Sequence, residues 1–293
     1  MRGCIHGPRP SRSICGNSNG LRGGPTSEYH GREERCGKLL WTTGSTKVRL
    51  LAALLFLALG NTAMAVDITV LSAGAVEAGL VKLAEQYRRD TKNRVRIQFG
   101  TAPQLERRLN VGEPADVLIA PHGLMSDQLR RGKVESDGVL VIGRVGVGVA
   151  VRASALEPDI ADLDRFKFAL LGADSIVYNQ ASTGLYLEKL FDLLGIGEQL
   201  KPKTVRYANG AQVLEHLIGG RGSEIGFGAI TEIRLFEPKG LKFVGPLPAQ
   251  VQNSTAYSAG VVTEAPSADV AREFVRYLGT PEAKAAFVAA GIE

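Results

Sequence analysis

The residues of this chain whose spacing suits them to chemistry are mostly small. Four stretches, Ser72-Ala73-Gly74-Ala75, Gly100-Thr101-Ala102, Ser182-Thr183-Gly184 and Asn209-Gly210-Ala211, each follow a β-branched run and precede apolar residues at helical spacing. A helix starting there projects unpaired backbone N–H groups carrying about half a positive charge from its first turn. Side chains this small let an anion reach those groups. In α/β sheets, ligands lie beyond the carboxyl ends of strands, where such turns sit. Gly74, Ala75, Thr101, Ala102, Ser182, Thr183, Gly210 and Ala211 are therefore the expected ligand-binding residues.

Catalytic constellations are not visible. After residue 65 the histidines are His122 and His216, neither with a His/Asp/Glu cluster at metal-ligand spacing. Over the same residues there is no G-x-S-x-G elbow, and no Gly-rich pattern runs into Lys-Ser/Thr as a phosphate loop does. Cys4, Cys15 and Cys36 all lie early in the chain, so a thiol nucleophile, disulfide framework or cysteine metal site is not expected beyond them. The residues read as a binder with no metal and no cofactor, not as an enzyme.

Charge adds to this. The formal net charge is +5, but nine of the 35 Lys and Arg and only three of the 30 Asp and Glu precede residue 66. Residues 66–293 hold 26 basic residues, the 35 less those nine, and 27 acidic residues, the 30 less those three. The resulting net of −1 offers no electrostatic footprint for a nucleic acid.

The basic excess has the layout of an export signal. Lys47 and Arg49 precede the apolar run at 50–60, and Ala63-Met64-Ala65 supplies small residues for cleavage after Ala65. Residues 47–65 are expected to be a signal peptide directing the protein to the periplasm. The apolar run is shorter than the ~20 residues a spanning helix needs. Residues 1–46 are rich in Gly, Arg and Ser without apolar period, and read as a non-native or disordered extension, translation starting nearer Val48.

The elements that must position the four turns alternate. Strands are expected at 67–73, 94–100, 115–120, 145–151, 175–179, 204–208, 224–230 and 241–247. Helical spacing appears in Val76, Leu80, Leu83, Ala84 and Tyr87, in Leu187, Leu190, Phe191 and Leu194, and in Val213, Leu214, Leu217 and Ile218. Near the end, Val270, Phe274, Val275 and Leu278 suggest one helix, and Thr280-Pro281 starts another. This is α/β layering with mainly parallel sheets. The Gly-punctuated apolar stretch at 141–152 and the stretch 251–263 suit strands crossing between two lobes, although periodicity alone also allows a single doubly wound sheet.

The order of blocks carries a resemblance over essentially all of residues 66–293. "SAGAVEAGLVKLAEQYRRDT", "FGTAPQLERRLNVGEPADVLIA", "YNQASTGLYLEKLFDLLGI", "ANGAQVLEHLIGGRGSEIGFG" and the closing "YLGTPEAKAAFVAAGI" resemble the periplasmic molybdate-binding group of extracellular solute-binding proteins. The resemblance implies a two-lobed periplasmic-binding-protein fold of the type II kind, with two crossover strands and a central cleft. Lobe 1 would comprise 66–147 and 252–293, and lobe 2 would comprise 148–251. It also implies a monomer that hands a small anion to the membrane permease of an ABC transporter.

Carried over, the family's first ligand serine falls at Ala75 and its second at Ala102 beside Thr101, its two backbone donors fall at Thr183 and Ala211, and its ligand tyrosine falls at Ala229. Three side-chain donors are thus missing while the backbone donors remain. A buried oxyanion needs each oxygen satisfied, so a small organic anion, a carboxylate for instance, is expected in preference to molybdate or tungstate. Arg144 is the expected cationic partner, suited to bidentate carboxylate recognition. Tyr178, Asn179, Gln252, Asn253 and Tyr257 are candidates for orienting hydrogen bonds, and Asp116 reads as a structural acceptor for loop backbone.

Overall fold

A computed structural model describes residues 65–293. Residues 1–64, which hold the expected extension, the expected signal segment up to its last residue and the three cysteines, lie outside the described residues. Nine strands form in chain order: β1 (Asp67–Ala73), β2 (Arg94–Gly100), β3 (Val117–Pro121), β4 (Leu140–Arg152), β5 (Ser175–Asn179), β6 (Thr204–Tyr207), β7 (Glu224–Ala229), β8 (Leu241–Pro246) and β9 (Ser254–Val261). The α-helices are α1 (Glu77–Thr91), α2 (Ala102–Asn110), α3 (His122–Arg130), α4 (Leu163–Gly172), α5 (Ser182–Leu193), α6 (Gly197–Leu200), α7 (Gly210–Gly219), α8 (Ile230–Phe236), α9 (Ala268–Leu278) and α10 (Pro281–Ala289).

Strand order is β2-β1-β3-β9-β4-β7-β5-β6, with β8 paired to β4. The thirteen-residue strand β4 serves two sheets. Its first half pairs antiparallel with β9, from Leu140 opposite Ala259 to Gly146 opposite Ser254. Its second half pairs antiparallel with β7 and β8, beginning with Val147 opposite Ala229. At the handover, the Gln252 amide clamps Val147, accepting from its N–H at 3.2 Å and donating to its carbonyl at 3.1 Å. These bonds add to backbone ones at the same residue, the Val147 N–H donating also to the Asn253 carbonyl at 3.0 Å and its carbonyl accepting from the Leu247 N–H at 3.3 Å, so the strand passes on without unpaired backbone groups.

Mainly parallel pairing is corrected by this arrangement. β1 runs parallel to β2 and β3, and β5 runs parallel to β6 and β7, but all four ladders involving β4 or β9 are antiparallel. A strand that leaves one group of βα units and a strand that returns to it run in opposite senses, so the crossovers break the parallel pattern.

Hydrophobic burial follows the two sheets. One cluster packs β1, β3 and the start of β4 against α1, α9 and α10, with Ile68, Leu80, Leu118, Phe274 and Phe287 almost wholly buried. Others pack β5, β7 and the end of β4 against α4, α5 and α7, through Phe166, Phe227, Leu187, Leu214 and Leu217. Strand β3 is buried on both faces up to Ala120, as expected of an internal strand in layered α/β folds. Edge strand β2 alternates charged or polar Arg94, Arg96 and Gln98 outward with Val95, Ile97 and Phe99 inward.

Asp116 sits where the loop reading placed it. Its carboxylate accepts from the N–H of Thr69 and of Ser267, both at 2.7 Å, tying β1 to the segment before α9. Thr280 caps α10 by accepting from the Ala283 N–H at 3.2 Å.

Candidate functional site

Each of the four small-residue turns is built by a strand ending against a helix start. β1 ends at Ala73 and passes through a single 3-10 turn, Gly74–Val76, directly into α1. β2 ends at Gly100, and Thr101 caps α2 in a reciprocal box with Gln104, whose side chain accepts from the Thr101 N–H at 2.8 Å. β5 ends at Asn179, whose side-chain oxygen accepts from Ala181 N–H at 2.9 Å and Gly184 N–H at 3.4 Å as α5 begins. β6 is followed by Asn209, which caps α7 by accepting from the Gln212 N–H at 2.9 Å.

The four turns meet around one cavity of about 210 Å³. Gly74, Ala75, Thr101, Ala102, Ser182, Thr183, Gly210 and Ala211 all line it. Ala229, the position matched to the ligand tyrosine, lines it too, as do Asn179 and Tyr257.

Other expected residues lie elsewhere. Arg144 is not among the lining residues: it is exposed on β4, where its guanidinium donates to the Ser254 carbonyl at 3.5 Å. Its backbone is engaged by the chain's end, the Glu293 N–H donating to the Arg144 carbonyl at 2.9 Å. The pairing of β4 with β9 sets which way residue 144 faces, and that face is solvent. Gln252 is spent on the β4 handover, and Tyr178 is buried beside Phe191 with ring centroids 6.1 Å apart. His122 is exposed with Nδ1 3.5 Å from Ser258 Oγ, and His216 is half-buried with Nδ1 2.8 Å from the Tyr207 hydroxyl. Among the described residues, no group of three or more His, Cys, Asp or Glu could hold a metal ion, and no helix is long and apolar enough to cross a membrane.

Two acidic residues in the cavity went unforeseen, Glu77 and Glu232. Glu232 stands in the first turn of α8, three residues past the N-cap Ala229 whose backbone N–H bonds to its carboxyl. In sequence, a Glu at that position signals only a favourable helix start. In space its carboxyl reaches under both helix starts, so that a β-carbon on Gly74 or on Gly210 would collide with it. Burial, reinforced by the Glu77 carboxylate, raises its pKa from 4.5 to about 7. The Tyr257 phenol is pushed up by burial first and then by the charge of Glu232, and stays neutral. Beside this group Thr231, almost fully buried, donates to the Ala75 carbonyl at 2.6 Å, joining α8 to the turn after β1.

Two groups of βα units joined by a pair of crossing strands, with helix starts from both facing one cavity, define a two-lobed ligand-binding protein. Residues 68–293 match the bacterial extracellular solute-binding protein family, and the chain belongs to it. It is 28% identical over 232 residues to an aconitate isomerase from a Pseudomonas species, covering 77% of this chain and 87% of that one. It is also 24% identical over 251 residues to the molybdate-binding protein ModA of Haemophilus influenzae, covering 83% of this chain and 96% of the relative. The periplasmic molybdate-binding protein of Azotobacter vinelandii superposes with a TM-score of 0.66 at 20% identity, over 77% of this chain and 98% of that one, and shares the fold.

Proposed function

We propose that this protein is the periplasmic substrate-binding component of an ABC importer and that its ligand is a small organic anion bearing carboxylates. Backbone amides of Gly74, Ala75, Thr101, Ala102, Ser182, Thr183, Gly210 and Ala211 hold it, and a membrane permease receives it. The convergence of four strand-to-helix turns on one cavity carries this reading. Residues 47–65 act as the export signal, cut after Ala65. Lobe 1 (66–147 and 252–293) and lobe 2 (148–251) close on the ligand by bending where β4 and β9 pass between them.

Size and chemistry favour the organic ligand over molybdate. Where ~10–15 Å³ of cavity holds one water, the cavity takes on the order of a dozen heavy atoms, more than a tetrahedral oxyanion needs. Ala75, Ala102 and Ala229 offer such an oxyanion no hydroxyl. The Pseudomonas relative is named for a tricarboxylate, aconitate. Thermal-shift screening against molybdate, tungstate, sulfate, cis-aconitate, tricarballylate and citrate tests the reading, because a ligand bound only by the folded form raises its melting temperature. A carboxylic acid should raise it; a shift with molybdate alone refutes the organic ligand.

A second reading is favoured by one observation, the Glu232 carboxyl inside the cavity with a pKa near 7. A base poised there could take a proton from the carbon beside a carboxylate of an unsaturated acid. The electron pair would pass into the conjugated carboxylate, the helix-start amides would stabilise the resulting oxyanion, and the same carboxyl would return the proton to the far end of the allylic system. The double bond moves and no cofactor is consumed. Incubating cis-aconitate with the protein in deuterated water tests this: neither deuterium uptake nor trans isomer would leave only the binding role.

A further inference from the structure

Anion binding by this cleft faces an electrostatic obstacle. Among the described residues that line the cavity, Glu77 and Glu232 are the charged ones, and both are acidic. The carboxyl of Glu232 lies against both Gly74 and Gly210, at two of the helix starts, so close that a β-carbon on either would collide with it. An anion drawn to those amides would meet a second negative charge within a few ångströms, in a cavity where Coulomb energies are less screened than in water.

Groups from the neighbouring elements do not relieve this. Glu77, at the start of α1, adds like charge. Lys239 acts on Glu77 and lies over the Phe236 ring, 3.9 Å from its centroid. Arg234, on α8 itself, is turned to the Phe243 ring at 5.3 Å. From β9 comes Tyr257, a neutral phenol, and from β4 come Gly146 and Gly148, which pack against Ile230. Among the described residues no cationic side chain shares the cavity with Glu232, so the carboxyl is compatible with an anion when it carries a proton, and it then becomes a donor.

Resting on the importer reading above, we propose that Glu232 binds the ligand as a neutral carboxylic acid, donating a hydrogen bond to a ligand carboxylate, so that capture brings one proton into the cleft. The cleft then selects an acid with an acceptor oxygen placed between Gly74 and Gly210. Affinity is also linked to pH: above the pKa of the empty site, about 7, apparent affinity falls by up to tenfold per pH unit.

Calorimetric titration of the purified protein with cis-aconitate and with tricarballylate, which has no double bond to shift, tests this in two buffers of different ionisation enthalpy. At about pH 8, well above ordinary carboxylate values, the ligand acids are ionised and any proton taken up is found on the protein. We expect uptake approaching one proton per ligand. In Glu232→Gln the amide N–H replaces the donated bond without titrating, so binding at about pH 6 should stay within roughly threefold of the parent, while uptake and the pH dependence vanish. Glu77→Gln should keep the uptake and move its midpoint to lower pH, because one raising influence on Glu232 is gone.

Binding by the parent without uptake, or with proton release, overturns the proposal and points to a ligand ammonium seated between the two carboxylates. Undiminished uptake in Glu232→Gln also overturns it, as does lost binding in a Glu232→Gln protein whose circular dichroism is native. If neither tricarboxylate binds, the inference falls, while a melting shift with another organic acid leaves the importer reading standing.

Discussion

Replacing Glu232 with glutamine should make the ligand-free protein more stable in mild alkali and leave it unchanged in acid. The native carboxyl has its pKa raised from 4.5 to about 7 by burial and by Glu77. In the unfolded chain the same group titrates at its ordinary value. Between these two values the native state binds more protons than the unfolded state, so stability falls as pH rises through the window. Below about 4.5 both states are neutral at this residue and no penalty exists; above about 7 the penalty is complete. At 1.36 kcal/mol per pKa unit the full cost is about 3 kcal/mol, which partial exposure to the cavity reduces to about 2 kcal/mol. Glutamine cannot ionise, and its side-chain oxygen still accepts from the Ala229 N–H. Urea unfolding of parent and variant at about pH 5 and pH 8 measures the difference. We expect little at the lower pH, and at the higher pH about 2 kcal/mol in favour of the variant, or roughly 5 °C in melting temperature for a domain of this size. Equal stability at both pH values, or a variant weaker at the higher one, would show that Glu232 is charged without penalty and would refute the reasoning.

Gly210→Ala should weaken ligand binding by a few-fold with the fold retained, since the added methyl displaces the Glu232 carboxyl from its place in the cavity; equilibrium titration checks it. Thr231→Val, close in shape, strands the buried Ala75 carbonyl and should cost about 1–3 kcal/mol in urea unfolding. Asp116→Asn loses a charged acceptor shared by two backbone N–H groups and should destabilise by about 2 kcal/mol by the same assay. Arg144→Ala should leave ligand affinity within about twofold, because its guanidinium lies outside the cavity and an exposed polar contact contributes little.

Much of the framework was legible in the order of residues. Strands read at 67–73, 94–100 and 175–179 have those bounds, because a run of β-branched residues ended by Gly, Ala or Asn is a local signal. The strand read at 204–208 stops at Tyr207, since the chain turns there to let Asn209 cap α7. The Gly-punctuated stretch read at 141–152 as a crossing strand is β4, Leu140–Arg152, one residue longer than read, whereas the pairing of its first half with β9 is a long-range contact that period cannot register.

The same division separates the site's two halves. Four turns of small residues are local features, and residue order was enough to say that each would offer backbone N–H groups at a helix start. Which of them share a cavity depends on how β4 and β9 cross, and that was settled by packing more than a hundred residues apart in sequence. Long side chains are decided later still. Arg144 looked like an anion's partner until strand pairing turned it to solvent, and Glu232 looked like a helix cap until the fold brought Gly74 and Gly210 to its carboxyl. Backbone donors are carried wherever a helix begins, whereas the direction and ionisation of a side chain belong to its surroundings, and those exist only once distant segments have packed together.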